Sequence, residues 1–203
     1  MPDFLYRAMR PARALMKRWG STPVKRVAWN VEFKRGEYSH EVNEGYRSRI
    51  NNWVEQYCRH GHILDLGCSD GHVGLSLNPK EYASYTGVDV SEIGIQEARE
   101  KCRRAGGERY EKNVFLVGDI CTYRPEHLMD VILFKDSLYY VNRIKIAGLL
   151  DRYGSSLTAG GVFIVHMDNI RRHGWIQLLI ERHFEVVEKN SVLDPTGMLL
   201  VFR

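Results

Sequence analysis

Ile63-Leu64-Asp65-Leu66-Gly67-Cys68-Ser69-Asp70-Gly71-His72-Val73-Gly74 decides how this chain of 203 residues is read. A short apolar run ends at Gly67, small residues make a loop, and apolar spacing resumes at Val73. Strand, loop and helix in that order aim backbone N–H groups and a positive helix end at one point, and small side chains let a ligand come close. Asp65, at the strand tip, adds a carboxylate that accepts from a donor group. The junction reads as a cradle for a nucleotide-like cofactor.

Spacing separates the candidate cofactors. A dinucleotide loop carries glycine at its first, third and sixth places, whereas Cys68, Ser69 and Asp70 lie between Gly67 and Gly71. A P-loop ends in Gly-Lys-Ser/Thr, and that tripeptide is missing here. Asp65, Gly67 and Gly71 instead fit acid-x-Gly-x-Gly-x-Gly, with Ser69 replacing the middle glycine. The loop resembles motif I of class I S-adenosylmethionine-dependent methyltransferases. That resemblance implies that Asp65, Gly67, Cys68, Ser69, Asp70 and Gly71 line the cofactor.

Further blocks follow in the order the resemblance requires. Tyr85 to Val90 reads as a second strand ending in Asp89, twenty-four residues after Asp65. An acid there suits the two hydroxyls of a ribose. Val90 and Ser91 lie beside it, Ser91 as the cap of a helix whose first turn carries Glu92. Val114 to Ile120 is a third strand ending in Gly118-Asp119, and the resemblance places Asp119 by the adenine amino group and Ile120 beside the ring. Asp130 to Tyr140 resembles the fourth strand and the loop facing the transferable methyl. Leu157 to Val165 resembles the turn into strand five.

One domain is the prior at this length, with chain enough for a sizeable core. The net charge of +4 says little about partners. Cys58, Cys68, Cys102 and Cys121 show neither a Cys-x-x-Cys pair nor zinc spacing, and no secretory signal precedes them. They read as reduced thiols of a cytoplasmic protein, with Cys68 a packing residue rather than a nucleophile. No metal is expected.

Residues 1–60 are expected to form a basic arm and lid helices over a cofactor-binding domain of residues 61–203. In the first twenty-six residues, seven cations (Arg7, Arg10, Arg13, Lys17, Arg18, Lys25, Arg26) face Asp3 alone. Phe4, Leu5, Met9, Leu15, Met16 and Trp19 are interleaved with them, so residues 3–18 suit a basic amphipathic helix started or kinked at Pro11. Such an arm could meet RNA or the inner face of a membrane. The favoured expectation is plainer: its apolar side packs on its own domain or on a second subunit. Gly20 to Pro23 reads as a joint. Val42, Tyr46, Ile50, Trp53, Val54 and Tyr57 recur near helical spacing over 41–59.

Strands are expected near 62–66, 83–89, 113–118, 130–135 and 161–167, with helices near 71–78, 91–104, 143–156 and 172–182. Strands at 184–189 and 198–202 complete the set, joined by a turn at Asp194 to Gly197. The resemblance implies an α/β, Rossmann-like, doubly wound sheet of seven strands in the order 3-2-1-4-5-7-6. Helices then cover both faces, and the last two strands close as a hairpin.

The resemblance implies S-adenosyl-L-methionine as cofactor. Within it Arg47, or Arg49, meets the methionine carboxylate, a pairing that guanidinium geometry suits; Lys135 and Tyr140 are also placed at the cofactor. Asp136, after strand four, and His166, ending strand five, are the candidate proton acceptors; an imidazole titrates near neutral pH and is a common general base. Tyr139, Trp29 and His40 are the candidate acceptor contacts. Phe134-Lys135-Asp136-Ser137-Leu138-Tyr139-Tyr140 resembles the Leu-Tyr-Tyr block of sugar methyltransferases, including nodulation N-methyltransferases and proteins of polysaccharide biosynthesis. A sugar or glycan hydroxyl, or less readily an amine, is therefore the expected acceptor. RNA ribose methylation through the arm, and a cofactor-binding module without turnover, stand as alternatives.

Overall fold

The computed structural model describes residues 3–36, 44–191 and 197–203. Seven strands form its centre: β1 (His62–Leu66), β2 (Ser84–Asp89), β3 (Asn113–Val117), β4 (Met129–Lys135), β5 (Leu157–Met167), β6 (Val186–Ser191) and β7 (Met198–Phe202). They lie side by side in the order β3-β2-β1-β4-β5-β7-β6. The first five strands are mutually parallel, and β7 runs antiparallel to both β5 and β6. Residues 63–66 and 131–134 are buried without a break, as strands covered on both faces require.

The apolar residues alternate between two cores. Ile63, Val131, Leu133, Val162 and Ile164 pack under α4 (Glu44–Cys58), α5 (His72–Ser76) and α6 (Glu92–Ala105), which contribute Trp53, Val54, Val73, Ile95 and Ala98. Leu64, Leu66, Ile132, Phe134, Phe163 and Val165 pack under α8 (Ile146–Gly154) and α9 (Ile170–His183), through Leu149, Leu150, Tyr153, Ile176 and Ile180. By the same alternation Asp65, Lys135 and His166 share the α4 face at the strand tips. Asp65 lies level with Leu133 and Ile164, and Lys135 and His166 form the next row, toward the C-terminal edge of the sheet where open α/β sheets bind ligands.

Several boundaries differ from the sequence expectation. β5 starts at Leu157 because Met129 pairs with Leu157, with a register shift before Val131 meets Val162. Residues 143–145 are a tight 3-10 turn rather than part of α8, held by the Asn142 side chain accepting from the Ile144 N–H. A short helix, α7 (Gly107–Lys112), follows α6 after two left-handed glycines, Gly106 and Gly107. The turn expected at 194–197 lies outside the described residues, apart from Gly197.

The N-terminal segment departs most. Pro11 starts a helix rather than kinking one: α1 (Asp3–Ala8) gives way to α2 (Arg10–Trp19), with proline in the first turn where its missing N–H costs nothing. The joint at Gly20 and Ser21 leads into an unexpected helix, α3 (Thr22–Lys34), again with proline in its first turn. The expected packing of α2 is reversed. Arg13 and Lys17 are buried, and Leu15 and Trp19 are exposed. Glu32 of α3 explains the reversal: it pairs with Lys17 and lies 3.5 Å from Arg13 Nε. Arg13 also donates to the Tyr6 carbonyl at 2.7 Å and lies over the Tyr6 ring.

Candidate cofactor and acceptor site

The loop after β1 is built on left-handed backbone. Gly67 (φ +88°) and Gly71 (φ +76°) take it without strain, and Ser69 adopts it at φ +55°. A side chain at Gly67 would place its Cβ 2.4 Å from Ser137 Cβ, so the loop after β4 already fills that space. Ser137 Oγ donates to the Leu66 carbonyl at 2.5 Å, tying the two loops together. The amides of Gly67 and Cys68 donate to the Val88 carbonyl. Burial and the carboxylates of Asp65 and Asp89 push the Cys68 thiol well above its ordinary value, as befits a packing residue. Asp70 turns to Lys101 of α6, 2.5 Å away.

Two carboxylates face the cradle. Asp65 is buried; its Oδ2 accepts from Tyr85 Oη at 2.5 Å, and its Oδ1 accepts no hydrogen bond among the described residues. Desolvation pushes its carboxyl up to about 6, the Tyr85 bond and the Lys135 charge pulling the other way. Asp89 accepts from the amides of Ser69 (3.0 Å) and Ser91 (2.8 Å), and desolvation pushes it likewise to about 6 despite those bonds. A ligand that brings hydroxyl or ammonium donors would stabilise both charges. S-adenosylmethionine carries ribose hydroxyls, an α-ammonium and a sulfonium, so the donor-poor pocket fits it.

The third acid is held by the N-terminal segment. Asp119 is buried; it accepts from the Cys121 amide (2.9 Å), Lys25 Nζ (3.0 Å) and Thr22 Oγ1 (2.9 Å). Burial opposes the charge, but these partners hold the carboxyl below its ordinary value. Asn30 accepts from Ser91 Oγ at 2.7 Å, Arg26 Nε donates to the Val90 carbonyl, and the Phe33 ring closes on Gly94. Gly118 donates to the Asp89 carbonyl, and the Ile120 carbonyl accepts from Tyr153 Oη. α3 therefore packs along this edge, and it falls within residues 1–60, the segment in which the lid helices were expected. Proline just inside a helix start, in Ser21-Thr22-Pro23, was the available signal for α3.

On the acceptor side, Asp136 sits in left-handed backbone at φ +54°, an uncommon conformation for a non-glycine residue. Its amide donates to the His166 carbonyl at 3.2 Å, and its Oδ1 lies 2.8 Å from His166 Nδ1. Burial works against its charge, but the His166 imidazole and the Lys135 ammonium, 3.8 Å away, hold the carboxyl below the ordinary range. Tyr139 stacks on His173 of α9 with ring centres 4.0 Å apart, and Tyr140 meets Trp29 edge-on at 4.8 Å. Lys17 reaches over the Trp29 ring at 3.9 Å. Both tyrosines are half-buried, and Tyr139 packs against the edge of the core under α8 and α9. His40 lies outside the described residues; Arg47 falls on α4, but its side chain lies outside them too. His173 and Lys17 carried no sequence signal, because each comes to the site from a helix distant in the chain.

This strand order, the acids at successive strand tips and the glycine-bounded loop define a class I S-adenosylmethionine-dependent methyltransferase. Residues 63–161 match the family model described as "Methyltransferase domain". Among curated proteins, it is 31% identical over 138 residues to trans-aconitate 2-methyltransferase of Enterobacter sp., covering 66% of this chain and 49% of that protein. It is 29% identical over 152 residues to carboxy-S-adenosyl-L-methionine synthase of Chromohalobacter salexigens, covering 70% and 53%. The chain thus spans about half the length of these two relatives. Similar folds include the N-methyltransferase NodS of Bradyrhizobium japonicum in complex with S-adenosyl-L-homocysteine (TM-score 0.61, 19% identity, 78% of this chain and 87% of that one). Magnesium protoporphyrin IX methyltransferase of Synechocystis, with bound S-adenosylmethionine, is another (TM-score 0.68, 17% identity, 90% and 96%).

Proposed function

We propose that the protein transfers a methyl group from S-adenosylmethionine to a hydroxyl, or less readily an amine, of a sugar or glycan. The cofactor, when bound, supplies an electrophilic methyl on a sulfonium. Asp65 would hold the α-ammonium through its unpartnered oxygen, Asp89 the ribose hydroxyls, and Asp119 the adenine amino group. Gly67 and Gly71 let the loop pack against Ser137 and against Phe115 and Ala98, which fixes the backbone that would hold the cofactor.

The observation that carries the acceptor half is the contact between His166 Nδ1 and Asp136 Oδ1 beside the cradle. In this reading His166 takes the proton from the acceptor hydroxyl, and Asp136 orients the imidazole and stabilises its charge as the proton arrives. Placing such a pair in strained backbone at a strand end is how active sites hold a fixed geometry. With one face of Tyr139 on His173 and Lys17 over Trp29, the opposite face of each ring would be the one to meet a sugar ring, and Tyr140 would lie near the sulfonium, where an aromatic face is favourable.

Methyl transfer from labelled cofactor to a panel of glycans tests the reading. His166→Ala and Asp136→Ala should each lower the rate by about 100-fold or more while leaving S-adenosylhomocysteine binding intact. Full rate in both variants would remove the proposed proton acceptors. Failure to bind S-adenosylhomocysteine at all would remove the cofactor.

A further inference from the structure

α1 and α2 present a surface that the methyltransferase reading does not use. Pro11, Ala12, Leu15 and Trp19 share the outer face of α2, with Leu15 62% and Trp19 59% exposed. Phe4, Leu5 and Met9 extend the apolar set along α1, Phe4 being 76% exposed. A soluble domain normally turns such a face inward, and a cluster of large exposed apolar side chains marks an interaction surface. Here Glu32 has drawn the charged face in and left the apolar face out.

The charges select the partner. Glu32, the one acid between residues 4 and 36, is buried, whereas Arg7, Arg10 and Lys34 are exposed. Apart from Asp3 at the start of α1, the apolar face is thus accompanied by positive charge. RNA is disfavoured, because many of the cations it would need are already engaged: Arg13 and Lys17 on Glu32 and Lys25 on Asp119 inside the protein, and Arg26 on Glu92 at its surface. Leu, Phe and Trp side by side with a few arginines is instead the composition of helices that lie in a bilayer interface. No described helix is long and apolar enough to cross a membrane, so the contact would lie on the surface.

We propose that α1 and α2 dock the protein on an anionic lipid bilayer, with Phe4, Leu5, Met9, Leu15 and Trp19 entering the headgroup boundary and Arg7 and Arg10 meeting lipid charge. This surface is independent of the acceptor's identity. The inner face of α2 reaches the candidate acceptor site through Lys17, so docking would bring that site close to the bilayer.

Sedimentation with vesicles of phosphatidylcholine, with and without roughly one-third phosphatidylserine, tests the proposal. The protein should sediment with the anionic vesicles, more weakly at high salt, and stay in solution with neutral ones. Leu15→Asp combined with Trp19→Asp should weaken that partition by about tenfold or more, with S-adenosylhomocysteine affinity unchanged as the measure of an intact fold. No sedimentation at about 1 mM lipid, or equal sedimentation of parent and variant, would overturn it. So would a dimer in solution that the same pair of substitutions dissolves, or salt-sensitive RNA binding in place of vesicle binding.

Discussion

Lowering the pH from about 8 to about 5 will weaken S-adenosylhomocysteine binding by about 100-fold. Asp65 and Asp89 both titrate at about 6 in the ligand-free protein, because burial penalises their charges. Each is almost wholly ionised at pH 8, and about one-tenth ionised at pH 5. A ligand that donates to both carboxylates needs both charges, so the competent fraction falls to about one-hundredth, or about 2.7 kcal/mol of apparent binding free energy. The ligand's own α-ammonium stays protonated over this range. Stability moves the other way. A carboxyl whose folded value is raised keeps its proton while the unfolded chain has lost it, so the ligand-free protein loses stability as pH rises from about 4 to about 6. Titration calorimetry across the range gives the affinities, and thermal melts with and without ligand give the stability. An affinity constant within about twofold from pH 8 to pH 5 would refute the placement of both acids against the ligand's donors.

Tyr85→Phe removes the hydroxyl that donates to Asp65; it should cost about 1–3 kcal/mol in chemical denaturation and move the pH profile of ligand binding upward, because that bond favours the ionised carboxyl. Gly67→Ala sets a Cβ against Ser137 in left-handed backbone, and should lose about 2 kcal/mol or more of stability together with most ligand affinity, measured by urea midpoint and calorimetry. A double-mutant cycle of Lys25→Met and Asp119→Asn should give a coupling of about 1–3 kcal/mol, since both side chains are largely buried. A coupling near zero would mean that α3 is not fastened through this pair.

Strands that end in an acid were legible because two signals coincide there: an unbroken apolar run, which only a doubly covered strand needs, and a polar residue at the point where the run leaves the core. Asp65 was found in that way, whereas β2 and β3 are interrupted by polar or exposed residues, and Asp89, Asp119 and Asp136 rested on their place in the family resemblance. α3 was missed because Gly20 to Pro23 was read as a joint and Trp29 as an acceptor contact rather than as one turn of a helix, although Pro23 marks its start. The orientation of α2 was not legible for a different reason. Periodicity shows that a helix has two faces, but which face turns inward depended on Glu32, a single acid on the next helix. His173 and Lys17 became visible only when α9 and α2 were brought over the loop after β4.

The hydroxyl of Ser137 is bound to the Leu66 carbonyl of β1, the strand proposed to hold the methyl donor, while its own peptide continues from Asp136 on the proposed acceptor side. In that reading donor and acceptor halves share one rivet. Substitutions at this serine should shift cofactor affinity and turnover in step, and natural variants that retune one half must accommodate the other at the same atom.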